Sequence, residues 1–360
     1  DALVRCHPLV CNRGDRWCVA QQPSHERSRH LRQLHIRAWF VEGVALDDDV
    51  HDAQQRLVAV AVAAGTDYCD LTGETQWMRR MIDQHQDAAR RSGARIVHTC
   101  GFDSIPSDLG VWFTQQRALE RFDVACNRIS MRVHTLKGGA SGGTIASMLN
   151  LMEEAAADPA LRRMLADPYA LAPADQRHGP AQPDLARPLH DPVSGRWIAP
   201  FVMAAVNTRV VQRSHALLGR RWGQGFRYDE AMSMGTGPLG AAKASGLVAG
   251  LGAGMGVLAF GPTRDLARRV LPKPGEGPSP QAQLAGSFDI RFSGTTSAGD
   301  RIHTQVTGDR DPGYGATARM LGEAAVAIPT RERGVGAQVL VAPHAEPARP
   351  AGPGQPGHPD

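Results

Sequence analysis

The sequence predicts an α/β protein in which a partial Rossmann-like parallel sheet is joined to a second α+β domain with a largely antiparallel sheet. Residues 66–74 and 94–110 each place an apolar strand and a polar or glycine-containing turn directly before a helix, and this alternation predicts parallel pairing. Residues 127–137, 288–292 and 302–306 follow strand patterns with few helices between them, which favours antiparallel pairing.

The length and composition allow two domains with separate cores. The chain has 360 residues, of which 42% are hydrophobic, and a net charge of +4. We divide it into five parts: a poorly patterned segment (1–55), a part with a parallel α/β pattern (56–125), an α+β part (126–312), a helix that returns to the first domain (313–330) and a disordered tail rich in proline and glycine (331–360).

Charge and cysteine content exclude some classes of function. The basic residues are scattered, without the stripe that nucleic-acid binding needs, so we expect no nucleic-acid partner. The cysteine spacing fits no zinc signature and predicts no metal site, while Cys69, Cys100 and Cys126 are expected to be buried free thiols. The amino end lacks the pattern of a signal peptide, so we expect a cytoplasmic location, with membrane association left open.

Local patterns predict the elements in order. Residues 56–65 form a helix that Gly65 closes, and residues 77–91 form a helix after the first strand. After the second strand, Ser104 is the candidate cap and Pro106 the first turn of another helix. Further patterns predict a helix at 144–157 that Asp158-Pro159 stops, a long loop at 168–197, strands at 201–211 and 226–234, and a helix at 314–328.

Two polar turns follow predicted strands, at the edge where parallel α/β sheets bind ligands. The candidate cofactor-binding residues are Thr72, Gly73 and Glu74 in the first turn and Phe102, Asp103 and Ser104 in the second. The alternative is that Asp70 or Thr72 caps the next helix and Glu74 serves its first turn. His98 lies within a strand pattern, which favours a structural histidine over a catalytic base.

A glycine-rich segment precedes the helix predicted at residues 144–157. Its candidate substrate- or anion-binding residues are Lys137, Gly138, Gly139, Ser141, Gly142, Gly143 and Thr144. Glycines let a ligand approach the backbone, and a helix N-terminus attracts an anion. The lysine precedes the glycines, so the segment is not a Walker loop. A bare turn capped by Ser141 or Thr144 remains the alternative.

Residues 244–260 are uncharged, apolar and rich in glycine, and the run is slightly short for a membrane span. Two interpretations stay open. One is a hydrophobic surface element that touches lipid, an acyl substrate or a partner subunit. The other is a buried or flexible connector.

Several segments closely resemble the saccharopine dehydrogenase-like oxidoreductases and, within them, the actinobacterial trans-acting enoyl reductases. The resemblance covers roughly residues 56–330 and rests on strings long enough to be specific. The matching strings are residues 64–74 (AGTDYCDLTGE), 93–98 (GARIVH), 100–110 (CGFDSIPSDLG), 137–148 (KGGASGGTIASM), 207–211 (NTRVV), 227–228 (RY) and 311–314 (DPGY).

The resemblance implies that residues 56–125 are the remaining half of a Rossmann-like dinucleotide-binding domain and that residues 126–312 are a substrate or dimerisation α+β domain. It also implies NADP or NAD as cofactor and reduction of a carbon–carbon double bond in a polyketide or fatty-acyl intermediate carried by a synthase. The chemistry is hydride delivery to the β-carbon, with a donor that stabilises the developing enolate. The resemblance identifies no catalytic residue. A homodimer, another substrate on the same fold, and a non-catalytic acyl- or membrane-binding scaffold stay open.

The two ends of the chain depart from the family's pattern. The family resemblance predicts a Gly-x-x-Gly-x-x-Gly turn that holds the pyrophosphate, whereas Gly14 and Gly43 stand alone in residues 1–55. We interpret residues 1–55 and 331–360 as divergent or frame-shifted. We therefore expect this chain to bind the cofactor weakly or not at all.

Overall fold

The computed structural model describes residues 17–21, 48–138, 151, 154–155, 157–259, 262–263, 277–328 and 339–340. Its strands are β1 (Trp17–Gln21), β2 (Tyr68–Cys69), β3 (Ile96–Val97), β4 (Cys126–Lys137), β5 (Leu189–Asp191), β6 (Arg196–Ala199), β7 (Arg227–Gly235), β8 (Ser287–Thr296), β9 (Arg301–Gly308) and β10 (Val339–Leu340). Its helices are α1 (Asp48–Ala63), α2 (Thr75–Ser92), α3 (Ile105–Phe122), α4 (Pro159–Ala166), α5 (Ala204–Leu217), α6 (Gly237–Ala259), α7 (Pro280–Ala285) and α8 (Gly315–Ala327).

The strands form two sheets, and their pairing confirms the predicted fold class. The smaller sheet is parallel, in the order β10-β3-β2, and the larger has the order β1-β9-β8-β4-β7-β6-β5. In the larger sheet the pairs β1–β9 and β4–β7 are parallel, and the other pairs are antiparallel. The chain is therefore an α/β protein with a small parallel sheet and a larger, mostly antiparallel one.

Helices α1 and α2 form a core with the small sheet. Gly65 has a left-handed backbone just after α1, as predicted, and a side chain there would lie 2.8 Å from the carbonyl oxygen of Ser92. Strands β2 and β3 are shorter than their sequence patterns predict, because the strand-to-strand pairing involves only two residues of each. The buried apolar residues of this core include Val58, Val62, Trp77, Met78, Met81, Ile82 and Ile96.

Helix α3 packs closely against the large sheet. A Cβ atom at Gly110 would lie 2.2 Å from Cζ of Phe292, so only glycine permits this approach. The antiparallel pairing predicted for residues 288–292 and 302–306 is confirmed, because β8 and β9 pair in antiparallel register from Phe288 to Thr295. The strand predicted at residues 226–234 is also confirmed, as β7.

The helix predicted at residues 314–328 is confirmed as α8, and it packs against the small sheet. Ala324 and Ile328 share an apolar cluster with Val97 and Cys100, with Cys69 at its margin. Cys69, Cys100 and Cys126 are free thiols, as predicted. Cys100 and Cys126 are fully buried, whereas the prediction of a buried Cys69 is wrong, because its side chain lies at the margin of the cluster and is only partly buried.

The prediction of a strand at residues 201–211 is wrong, because most of this segment belongs to α5. Polar side chains of α5 are buried together with its apolar ones, so the sequence shows no helical period. The buried polar residues are Asn207, Thr208, Arg209, Gln212, Arg213, Ser214 and His215.

The loop predicted at residues 168–197 is partly wrong, since it contains a 3-10 turn at Ala174–Gln176, strand β5 and the start of β6. Most of the helix predicted at residues 144–157 lies outside the described residues. Asp158 and Pro159 begin α4, where the Asp158 side chain accepts a hydrogen bond of 2.7 Å from the Ala160 amide.

The two end segments each contribute a described strand. Strand β1 lies within residues 1–55 and forms one edge of the large sheet, while α1 begins near the end of the same segment. Strand β10 lies within residues 331–360 and forms an edge of the small sheet. We predicted no elements in these parts of the chain, because neither shows sustained periodicity.

Candidate active site

The two polar turns predicted from the sequence lie at the same edge of the small sheet. Tyr68 pairs with Ile96 in parallel register, so the strand ends that lead into both turns point the same way. The ladder continues beyond the strands, because the Asp70 amide donates to Val97 at 3.1 Å and the Cys100 amide donates to Asp70 at 2.8 Å. Parallel α/β sheets bind their ligands at this edge.

Asp70 organises the first turn and links it to the second strand. Its Oδ1 accepts a hydrogen bond of 3.1 Å from the Thr72 amide, and its Oδ2 lies 2.8 Å from Nδ1 of His98. The N-cap residue of α2 is Glu74, without a side-chain cap bond. Capping of α2 by Asp70 or Thr72 is therefore a wrong prediction. Asp70 shapes the turn instead.

His98 is a buried structural residue, as predicted. Its ring is fully buried and packs edge-on against Trp77, with 5.1 Å between the ring centroids. Because a carboxylate only accepts hydrogen bonds, Nδ1 carries the proton that bonds to Asp70. The side chain thus locks the end of β3 to the end of β2.

Gly73 and Asp103 face each other across the two turns. A Cβ atom at Gly73 would lie 3.9 Å from Oδ2 of Asp103 and would meet no other atom within 4 Å. The Asp103 side chain is half-buried, and burial raises its pKa to about 6. A carboxyl group with this pKa can hold or release a proton near neutral pH.

Phe102 and Ser104, predicted beside Asp103, point into the protein. The Phe102 ring is 4.9 Å from the ring of Phe288 in the main core. Ser104 occupies the N-cap position of α3 without capping it, and its hydroxyl donates to Oδ1 of Asn207 at 3.0 Å. Pro106 lies in the first turn of α3, as predicted. Of the second turn, Asp103 alone keeps a partly open side chain.

Beneath Ser104 lies a buried polar network that sequence analysis missed. Nδ2 of Asn207 donates to Ser107 at 3.1 Å and to Oε2 of Glu230 at 3.0 Å. The Tyr228 hydroxyl donates to Oε1 of Glu230 at 2.7 Å. Burial raises the pKa of Glu230 to about 7. Glu230 takes the position in β7 between Tyr228 and Met232 on the same face of the strand, and a carboxyl group at that position was the available sequence signal.

The start of helix α8 lies close to the second turn and to Gly138. The Phe102 amide donates to the Thr317 hydroxyl at 3.0 Å. A Cβ atom at Gly138 would lie 2.7 Å from Cδ of Pro312, just before the same helix. Lys137 is exposed at the end of β4. The remaining predicted residues, Gly139, Ser141, Gly142, Gly143 and Thr144, lie outside the described residues.

These residues fit one end of a dinucleotide. The open space at Gly73 and the carboxyl group of Asp103 suit a nicotinamide–ribose end placed against the two turns. A glycine-rich turn for the pyrophosphate is not found in the part of the chain that the structure describes.

The fold is α/β, and the two polar turns lie at the edge of the small sheet where parallel α/β proteins bind their ligands. No family model matches the chain. A Mycobacterium tuberculosis (H37Rv) protein that carries the trans-acting enoyl reductase name is 45% identical over 287 residues, which cover 76% of this chain and 67% of the relative. The trans-acting enoyl reductases of Mycobacterium ulcerans (Agy99) and Mycobacterium bovis (BCG Pasteur) are each 40% identical, with the same coverage. The chain belongs to the trans-acting enoyl reductase family.

Proposed function

We propose that this chain is an oxidoreductase that uses NADPH or NADH to reduce a carbon–carbon double bond in a polyketide or fatty-acyl intermediate. The observation that carries the proposal is the 45% identity over 76% of the chain to a relative named as a trans-acting enoyl reductase. The two turns at one edge of a parallel sheet support it, because that edge is where such folds bind nucleotides.

We also propose that the chain belongs to the wider saccharopine dehydrogenase-like oxidoreductases. Its support is the set of matching strings at residues 64–74, 100–110 and 311–314. The arrangement of a small parallel sheet beside a larger mixed sheet is consistent with that grouping.

A nicotinamide bound at this edge would supply the hydride that reduces the β-carbon of the acyl double bond. The α-carbon must then take a proton, and negative charge develops on the acyl oxygen until it does. We assign the proton to the carboxyl group of Asp103, which faces the open space at Gly73. Asp103 is left as a carboxylate and regains its proton from water.

The surroundings of Asp103 hold it in place. Asp70 and His98 fix the first turn, while the Ser104–Asn207 hydrogen bond fixes the residue after Asp103. These side chains are buried, so their geometry changes little when a ligand arrives. Their role in the proposal is to position Asp103 and Gly73.

The proposed affinity of this 360-residue chain for the cofactor is low. Residues 1–55 contain two glycines, Gly14 and Gly43, far apart. A pyrophosphate gains most of its binding from several backbone amides at a glycine-rich helix start. Because residues 1–55 lack such a turn, we expect dissociation constants well above the micromolar range.

Deuterium transfer tests the proposed reaction. The full chain is incubated with a short 2-enoyl thioester and millimolar NADPH that carries deuterium at the transferable C4 position, and the product is analysed by mass spectrometry. The proposal predicts a saturated thioester with one deuterium at the β-carbon. A product without deuterium, or no product with either NADPH or NADH, contradicts the proposal. Long incubation and high cofactor concentration compensate for weak binding.

A further inference from the structure

Helix α6 has a packed first half and an exposed second half. A Cβ atom at Gly240 would lie 2.5 Å from the carbonyl oxygen of Gly235 and 3.3 Å from Trp197, and Ala244 is fully buried. Between residues 246 and 258 no residue is buried, with Met255 59% exposed and Val257 45% exposed. The second half thus extends away from the sheet on which the first half rests.

The exposed half has no polar side chain. Residues 246–258 read GLVAGLGAGMGVL, so apolar and glycine residues lie on all faces of the helix. A helix that borders water normally carries polar residues on its outer face. By length and composition α6 is long and apolar enough to cross a membrane, and only 6% of the apolar window is buried in the protein.

The glycine content also disfavours this helix in water. Each glycine within a helix is about 1 kcal/mol less favourable than alanine, and residues 246–258 contain five. A lipid environment removes the competition from water, so the backbone must form its own hydrogen bonds and glycine becomes tolerable. The sequence of this half therefore suits lipid better than water.

We propose that residues 246–258 of α6 insert into one leaflet of an anionic lipid bilayer and dock the protein at the membrane surface. These thirteen residues reach about 20 Å, whereas the hydrocarbon core of a bilayer is about 30 Å thick. Because the first half of α6 stays on the sheet, the exposed half reaches into a leaflet without crossing the bilayer. The inference does not depend on the proposed reaction.

The charges around the apolar segment indicate the lipid class. Lys243 is an exposed cation one turn before the segment. In the sequence after the helix, residues 264–273 carry four basic residues and one acidic residue. Basic residues beside a membrane-inserted helix are attracted to anionic headgroups. Anionic vesicles should therefore bind the protein more tightly than neutral ones.

Vesicle flotation of the full chain tests the proposal, with phosphatidylcholine vesicles and vesicles that contain about one-third phosphatidylglycerol. The variant carries Met255→Asp and Val257→Asp, which place charges in the segment. The matched control is Leu284→Asp, because Leu284 lies outside α6 and is also 59% exposed. Circular dichroism verifies that all three proteins are folded.

The proposal predicts flotation with the anionic vesicles for the wild type and for Leu284→Asp, and at least about tenfold weaker binding for the double variant. Binding that survives in the double variant overturns it, as does a folded wild type that binds neither vesicle. Equal binding to neutral and anionic vesicles overturns the choice of anionic lipid. The wild type can instead bind no vesicle and form a concentration-dependent dimer that the double variant abolishes. That result would overturn the proposal and show that the segment binds a second copy of the chain.

Discussion

Nδ2 of Asn207 lies 3.0 Å from Oε2 of Glu230, and this hydrogen bond joins α5 to β7 beneath the first turn of α3. Asn207 also accepts from Ser104, the residue next to Asp103. The turn that contains Asp103 is therefore hydrogen-bonded to the core of the large sheet through the buried side-chain amide of Asn207. We therefore expect substitutions of Glu230 to change both the stability of the protein and the geometry of the turn that contains Asp103.

The titration of Glu230 makes stability depend on pH. Burial raises its pKa to about 7 from an ordinary 4.5, so between these values the folded chain holds a proton that the unfolded chain has lost. This contribution is present at low pH and is lost as the pH rises through 7. We predict that stability relative to Glu230→Gln falls by on the order of 2 kcal/mol between pH 4.5 and 7.5. Urea unfolding of both proteins at several pH values measures the difference, and a difference that is constant with pH would refute the prediction.

His215 makes the stability of the protein depend on pH in the opposite direction. Burial lowers its pKa to about 4, and its ring stacks on Trp222 while Nε2 donates to the Gly223 carbonyl at 3.1 Å. Below about pH 6.5 the unfolded chain binds a proton at His215, whereas the folded chain does so only near pH 4. The stability that the neutral, buried His215 contributes is therefore lost as the pH falls from 6.5 to 4. His215→Phe should be about 1 kcal/mol less stable at pH 7 and should lose less stability on acidification.

Thermal unfolding at pH 7 and pH 5 measures the effect of His215→Phe. The control is His190→Phe, because His190 is exposed and its ring meets Trp197 edge-on instead of stacking in the core. If the wild type and His215→Phe lose the same stability between pH 7 and pH 5, His215 is not the cause of the acid sensitivity.

Asp103 is predicted to supply the proton. Asp103→Asn should lower the rate of enoyl reduction by roughly 100-fold at a fixed cofactor concentration, since an amide cannot donate this proton. The wild-type rate should fall as the pH rises through about 6, where the carboxyl group loses its proton. Glu120→Gln, an exposed change on α3, is the control and should retain the wild-type rate. An unchanged rate for Asp103→Asn would remove Asp103 from the mechanism.

Two glycines in helices should respond oppositely to alanine. At Gly110 a Cβ atom would clash with Phe292, so Gly110→Ala should destabilise the protein by about 1–3 kcal/mol. At Gly322 in α8 a Cβ atom meets nothing within 4 Å, so Gly322→Ala should stabilise by up to about 1 kcal/mol. Chemical denaturation of both variants gives the two values. Equal effects of the same sign would contradict the packing of α3 on β8.

The sequence predicted the two turns because their chemistry is local. A strand, a polar turn and a helix start lie within ten residues of one another, so Asp103 and Gly73 were placed correctly at one sheet edge. The roles of Ser104 and Phe102 were harder to predict, because their partners, Asn207 and Phe288, are more than 100 residues away. Spacing along the chain carries no information about such contacts.

Helix α5 shows why other elements were not predicted from the sequence. Its polar residues are buried because partners from other elements satisfy them: Thr208 and Arg209 bond to Asp184, and Arg213 bonds to the Leu171 carbonyl. A helix buried on all faces loses the period that identifies helices in sequence. The apolar run in α6 was visible in the sequence, but its exposure depends on which half contacts the sheet.

Saturation-transfer difference NMR with NADPH tests the central claim, that the turns around Gly73 and Asp103 form the nicotinamide end of a cofactor cleft. The method detects weak binding, and it compares the saturation received by the nicotinamide and adenine protons of one ligand. The account predicts stronger saturation of the nicotinamide protons, which Gly73→Leu removes because its side chain fills the open space beside Asp103. Stronger saturation of the adenine protons, or a nicotinamide signal that survives in folded Gly73→Leu, would contradict it.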